Sequence, residues 1–344
     1  MTATPVSLLM IGCGGFSRRY HVPALLADSA VRIAGIFDPY PQAEVRALAE
    51  RYGAPVTDTI DALPQPRADT GLAFALVTTP HMLHAAHIDA VLDRNLHVLV
   101  DKPFVMTAAD AIRLARRADD AKRINGVAYN RRFDAGCLRA RDIVRDGGIG
   151  AVRFVQTVQL GYERAGWFLV PELGGGGPYT GRATHMADIV PWLIGRSPTR
   201  LRGRLRTSSP ARSDHGGFIE LQFADLECQM TCIEEGWHMW DEIRIFGDDG
   251  LIELRRPLTA PIGWSMTWRS QRGTRLEHCD ADSHPGDATR DFLAALRNGA
   301  QPACTFAEAV PSVTIVELAF RSAREGGGWL DVPHSDNHPQ GELQ

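Results

Sequence analysis

Lysine is almost absent from this chain: Lys102 and Lys122 stand against thirty-five arginines in 344 residues. Lys102 lies in an Asp101-Lys102-Pro103 step directly after the apolar run from Leu96 to Val100. A partly desolvated ammonium can release its proton near neutral pH, which a guanidinium cannot do, so this lysine suits proton transfer. A second group follows the first apolar run. There Gly12-Cys13-Gly14-Gly15-Phe16-Ser17 matches a Gly-x-Gly-x-x-Gly loop except that Ser17 takes the third small position. Glycines in such a loop allow a tight strand-to-helix turn and let a diphosphate approach backbone N–H groups at a helix start. Asp38 ends the second apolar run, about twenty residues beyond the loop, where the dinucleotide fingerprint needs a carboxylate. It would accept from an adenosine ribose and repel a 2'-phosphate, so NAD is expected over NADP, with the Arg18-Arg19 pair leaving NADP open. Far downstream, Gly174 to Gly177 precede His185 and Asp188, which fall three apart on one helix face. The glycine run suits either close passage of a ligand or a flexible hairpin. The His–Asp pair suits either chemistry or simple packing and capping.

The surrounding pattern predicts how these residues are held. Up to about residue 130, apolar runs (Val6–Ile11, Val31–Phe37, Leu72–Val77, Leu96–Val100, Ile124–Tyr129) alternate with amphipathic segments (Ser17–Ala27, Ala43–Tyr52, His81–Arg94, Ala108–Lys122). Continuous apolar strands alternating with helices predict a doubly wound parallel sheet covered on both faces. After a helix near Asp134–Arg145, longer alternating strands begin at Ala151–Leu160 and continue through Arg202–Thr207, Phe218–Phe223, Glu227–Glu234 and Trp240–Phe246. They predict an antiparallel sheet with one open face, covered on the other by helices at Arg182–Ile194, Asp287–Arg297 and Phe306–Ala323. The fold class is therefore α/β: a dinucleotide-binding domain over 1–130, a second α/β domain with a mainly antiparallel sheet over 131–332, and a mobile tail over 333–344.

A formal charge of -4 and arginines scattered in short pairs argue against a nucleic-acid or membrane surface. No apolar stretch reaches membrane-spanning length and no leader is evident, so a cytoplasmic location is expected. The six cysteines lack disulfide or metal spacing. His81, His84 and His87 are spaced by three but have no acidic or thiolate partner nearby, so burial or capping is expected and no metal site.

In this order, the motifs resemble those of the Gfo/Idh/MocA family of sugar and polyol oxidoreductases. The resemblance runs from about residue 6 to residue 332. It rests on the glycine loop, Val77-Thr78-Thr79-Pro80 with His84, His97 to Pro103, Arg131-Arg132-Phe133, the glycine run and His185-x-x-Asp188. It implies a Rossmann domain joined to an open-faced α/β domain, and a homodimer or homotetramer formed through the second sheet. Cofactor contacts are implied for Gly12, Gly14, Gly15, Phe16, Ser17, Asp38, Thr78, Thr79, Pro80, His84, Asp101, Lys102, Asn130 and Arg131. Lys102 corresponds to the lysine of the family's Glu-Lys-Pro step, with Asp101 in place of the Glu, and His185 to its active-site histidine. The substrate is expected against Lys102, Tyr162, Trp167, Thr184 and His185, with Trp237 and Trp240 nearby. The family's aspartate one turn before the histidine falls on Gly181, which removes a carboxylate.

The expected activity is hydride transfer between NAD and a secondary alcohol or ketone of a small sugar, cyclitol or related polyhydroxylated compound. Lys102 and His185 are the catalytic candidates. Two alternatives stand beside it. Tightly held NAD could serve transient oxidation in a redox-neutral elimination or glycoside cleavage. The loss of the carboxylate at Gly181 could instead mark a lapsed nucleotide-binding sensor or scaffold.

Overall fold

The fold is seen in a computed structural model that describes residues 4–66, 71–162, 165–177, 179–207, 214–234, 236, 238–257, 264–271, 273–279 and 286–333. Trp237 and the tail from 334 lie outside the described residues.

The apolar runs of the first half form strands β1 (Val6–Ile11), β2 (Val31–Phe37), β3 (Val56–Thr57), β4 (Leu72–Val77), β5 (His97–Asp101) and β6 (Asn125–Ala128). All pair in parallel, in the order β3-β2-β1-β4-β5-β6. Leu9, Met10, Ile11 and Ala75 to Val77 are fully buried, as a sheet covered on both faces requires. The connecting helices are α1 (Val22–Leu26), α2 (Ala43–Tyr52), α3 (His84–Asp93) and α4 (Ala108–Asp120). Strand order reverses between β1 and β4, and the crevice beyond the carboxyl ends of such strands is where doubly wound sheets bind ligands. Gly12, Thr78 and Lys102 all lie at those ends.

The second half adds α5 (Ala135–Arg145), β7 (Val152–Leu160), α6 (Pro171–Gly174), α7 (Thr184–Ile194), β8 (Arg200–Thr207), β9 (Asp214–Gln222), β10 (Glu227–Ile233) and β11 (Trp240–Gly247). Three further strands, β12 (Gly250–Pro257), β13 (Trp264–Ser270) and β14 (Gly273–Cys279), extend the sheet beyond the sequence expectation. Helices α8 (Asp287–Asn298) and α9 (Phe306–Arg324) and the short β15 (Leu330–Asp331) complete the chain. The nine strands run β14-β13-β12-β11-β7-β10-β9-β8-β15, antiparallel except for the β7–β10 pair.

The helical cover differs from expectation. Helix α8 packs on the first sheet, with the Phe292 ring 5.2 Å from that of Phe74. Its apolar stripe meets the face left bare beside β6, a tertiary choice that amphipathic periodicity does not specify. Helix α9 joins both halves. Phe306, Ala309 and Val313 enter the core of the first sheet, whereas Ile315, Leu318 and Ala319 enter that of the second. A capping box between Thr305 and Glu308 fixes where α9 starts.

Candidate active site

Gly12 turns the chain out of β1 at φ +84°, and a Cβ there would come within 2.8 Å of the Thr79 side chain and 3.0 Å of the Thr78 carbonyl. Only glycine fits. The Thr78 hydroxyl donates to the Gly12 carbonyl at 2.9 Å, tying the ends of β1 and β4 together. At Gly14 and Gly15 a Cβ would meet nothing within 4 Å, and the buried Ser17 hydroxyl has no hydrogen-bond partner among the described residues. The loop is therefore open on the side a diphosphate would occupy. Ser17–His21 forms one π-helical turn before α1, with Ser17 and His21 buried. Asp38 accepts from the Tyr40 amide at 3.0 Å through one oxygen. Arg18 spans the gap between the two segments, donating to the Cys13 carbonyl and to Gln42, each at 2.9 Å.

Asp38→Ala should weaken NAD binding by about 1.5–3 kcal/mol, the range for hydrogen bonds to a charged group, and shift preference towards NADP. Calorimetry showing unchanged NAD affinity would remove Asp38 from the cofactor site.

Lys102 follows β5 through a cis peptide to Pro103. Its ammonium donates to the Gly181 carbonyl at 3.1 Å and lies 5.9 Å from the centre of the Phe16 ring. Lys102 thereby meets both the glycine loop and the turn that leads into α7. His185, on the first turn of α7, has an Nδ1 with no hydrogen-bond partner among the described residues. Burial, then the positive charges of Arg131, Lys102, Arg256 and Arg182, push its pKa well below the usual imidazole value. The ring is held neutral, a form that accepts protons and hydrogen bonds.

Several expected contacts are engaged elsewhere. Asp188 does not pair with His185; it forms a buried fork with Arg132, whose Nη2 and Nε reach it at 2.6 and 3.0 Å. Burial works against the Arg132 charge, but Asp188 outweighs it and keeps the guanidinium protonated. Arg131 is buried against Asp241 of β11 at 2.7 Å. Arg256 joins Asp241 to Asp134 in the same network, and Arg182 pairs with Glu234. His84 is enclosed, its two ring nitrogens 2.9 Å from the carbonyls of Pro103 and Thr79, so it braces the β4 and β5 loops against each other. Thr79 lies 2.8 Å from His87 Nδ1. Thr184 is buried, 2.8 Å from the Tyr129 hydroxyl. The Asn130 side-chain oxygen is buried with no hydrogen-bond partner among the described residues. Pro80 opens the turn into α3 at φ -55°.

Tyr162 is exposed, and Trp167 stacks on Phe168 at 3.8 Å with its edge against His81 at 4.9 Å. Trp240 donates to Glu242. The glycine run passes close to protein side chains: Gly175 lies against Met106 and Met82, and Gly176 against Phe320. The neighbours here are protein side chains, which is neither of the two readings left open for the run. A separate cavity of about 770 Å³, lined by Arg139, Trp268 and Arg275 among others, shares no lining residue with this region.

Sequence reasoning missed His21. It sits at the end of the π-helical turn, fully buried, with Nε2 3.4 Å from Asp101 and Nδ1 2.7 Å from the Thr289 hydroxyl. A single histidine on an apolar segment gives no sequence signal for a carboxylate eighty residues away.

These features define a Rossmann-type oxidoreductase with a second α/β domain. The chain belongs to the GFO/IDH/MocA oxidoreductase family. The family's NAD-binding Rossmann domain matches residues 6–129 and its C-terminal domain residues 137–253. The chain is 31% identical over 197 residues to inositol 2-dehydrogenase 1 of Saccharopolyspora erythraea, a match spanning only 56% of either chain. It is 25% identical over 327 residues to the rhizopine catabolism protein MocA of Rhizobium meliloti, covering 92% of this chain and 94% of that one. In fold it matches aldose-aldose oxidoreductase from Caulobacter crescentus with a TM-score of 0.82, at 21% identity and over 95% and 99% of the two chains. None of these supports the redox-neutral or sensor alternative. Among the described residues, no helix is long and apolar enough to cross a membrane.

Proposed function

We propose that the protein is a dehydrogenase or ketoreductase that uses NAD to interconvert a secondary alcohol and a ketone in a sugar, cyclitol or related polyhydroxylated compound. The observation that carries this reading is the position of Lys102, in contact with Phe16 of the glycine loop and with the turn that presents His185. The open loop from Gly12 to Ser17 would hold the diphosphate and Asp38 the adenosine ribose. A nicotinamide held there would supply the hydride acceptor or donor. Everything else falls to the protein. Oxidation must remove the hydroxyl proton as hydride leaves, and Lys102 Nζ accepts it; in reduction Nζ returns it. Neutral His185 accepts a hydrogen bond from the same or a neighbouring hydroxyl and orients the carbon.

A screen of polyols and ketosugars with NAD(H) and NADP(H), read by nicotinamide absorbance, tests the reading, with mass spectrometry of each substrate beside it. Conversion without net change in absorbance would replace it with a redox-neutral reaction.

Gly181 shapes the substrate space. A Cβ there would meet His81 Cε1 at 3.4 Å and Phe168 at 4.0 Å, both ordinary contacts, so an aspartate fits the fold. Gly181→Asp would set a carboxylate beside Lys102, and an opposite charge at about 4–6 Å raises an amine's pKa by about one to three units. Activity at pH 7 should fall about tenfold or more and recover at alkaline pH. The opposite outcome, robust polyol oxidation in a protein otherwise silent across the screen, would show that the natural site has lost its chemistry.

The same reading includes cytoplasmic residence and self-association through the second sheet. The outer face of that sheet presents Phe154, Val158, Leu160 and Phe246, all half-buried, while Val155, Thr157 and Gln159 turn inward. Light scattering should therefore give a dimer or tetramer mass. A monomer at micromolar concentration would reject that part.

A further inference from the structure

The carboxylate next to the proposed proton carrier poses a physical problem. Asp101 directly precedes Lys102, and an ionised carboxylate beside an amine favours the ammonium, the form that cannot accept a proton. Asp101 is well enclosed, its side chain 16% exposed, and burial alone would push its pKa up. The His21 ring facing it at 3.4 Å and the Lys102 ammonium beside it reverse that and hold it below the usual carboxylate range.

We propose that His21 is a positioning residue: fixed by Thr289 at one ring nitrogen, it engages the Asp101 carboxylate with the other and shares a charge that would otherwise act on Lys102 alone. The inference rests on Lys102 as the proton carrier. Three segments distant in sequence build the arrangement: the π-helical turn after the glycine loop, the end of β5, and α8. Thr289 is fully buried, and its hydroxyl lies 2.7 Å from His21 Nδ1. His21 Nε2 then faces Asp101 Oδ1 at 3.4 Å, longer than an ordinary N–H···O bond, so the two buried atoms are coupled through their charges. A ring bonded at one nitrogen has its tautomer and orientation set for the other, the logic by which outer partners orient catalytic histidines.

The other charged groups nearby have their own engagements. His84 is enclosed by carbonyls, and His81 lies 3.2 Å from the Gly174 carbonyl. On the turn itself, Arg18 reaches Cys13 and Gln42, and Arg19 lies over the Tyr20 ring. On α8, Asp287 pairs with Arg290, and Asp291 accepts from the Ala303 amide.

The scarcity of lysine makes the test direct. Protein labelled with 13C at lysine shows two side-chain Cε signals, and Lys122→Arg assigns them. In His21→Leu, Asp101 loses its partner and acts more strongly on Lys102. The Lys102 titration midpoint should rise by about one pH unit while the Lys122 signal stays put. Asp101→Asn should lower that midpoint, and adding His21→Leu to it should change nothing further. A folded His21→Leu protein in which Lys102 titrates as in the parent overturns the proposal, as does an equal rise in the Asp101→Asn background. If His21→Leu does not fold, Thr289→Val keeps the ring and loosens it. A smaller upward shift is then expected, and no shift overturns the proposal. The titration needs neither cofactor nor substrate. A silent polyol screen beside a shifted Lys102 midpoint would therefore reject the dehydrogenase reading while leaving the coupling intact.

Discussion

Lys102→Ala is expected to slow the chemical step by about two to four orders of magnitude, the usual loss when a general acid-base group is removed. NADH binding should stay nearly intact, because the loop from Gly12 to Ser17 and Asp38 would hold most of the dinucleotide. The effect should thus fall on kcat, with little change in the nucleotide dissociation constant. Lys102→Arg separates two roles that alanine cannot. A guanidinium preserves the positive charge and a donor for the Gly181 carbonyl, but stays protonated at any working pH. If Lys102 moves a proton, the arginine variant fails about as badly as the alanine variant. Turnover near the parent rate would make Lys102 a charge clamp and hand proton transfer to His185.

The legible parts of this protein were those written in local pattern. Parallel strands buried on both faces appear as uninterrupted apolar runs, so β1, β2, β4 and β5 could be bounded from the sequence almost to the residue. The glycine loop and Asp38 carry their own spacing. Strands β12 to β14 escaped because charges break their alternation, as in Leu254-Arg255-Arg256, where Arg256 turns inward to meet Asp134 and Asp241. Helix α8 was recognised as a helix but set on the wrong sheet, since an apolar stripe says that a face is covered and not by what. The site shows the same division. Lys102 stood out by scarcity, whereas no local pattern announces that Asp188 meets Arg132, His84 the loop carbonyls or Thr184 the Tyr129 hydroxyl.

Burying neutral histidines should also make the fold steeply acid-sensitive. Burial lowers the pKa of His87 to about 4 and, with Arg123 adding to the effect, that of His97 to about 4, from an ordinary 6.5. His81, His84 and His185 are lowered in the same direction, also chiefly by burial. A histidine with a depressed folded-state pKa contributes its full stability above the unfolded value and loses it as pH falls, because the unfolded chain then binds the proton first. The window therefore opens just below pH 6.5 and closes near the folded-state values, about 4 for His87 and His97. A group fully shielded from solvent would cost about 1.4 kcal/mol per pH unit inside the window; His87 and His97 are half-buried, so solvent screening reduces their share to about 1–2 kcal/mol together by pH 5. That is still a measurable part of the roughly 5–15 kcal/mol that holds a domain folded. Asp291 and Asp188, whose pKa values burial raises, act in the opposite sense, so the histidines' loss is partly offset. Urea unfolding at pH 7.5, 6.0 and 5.0 should show the midpoint falling slightly over the first step and sharply over the second. Equal midpoints at pH 7.5 and 5.0 would mean that these rings take up protons in the folded protein as readily as in the unfolded chain, and the neutral state assigned to His185 would fall with them.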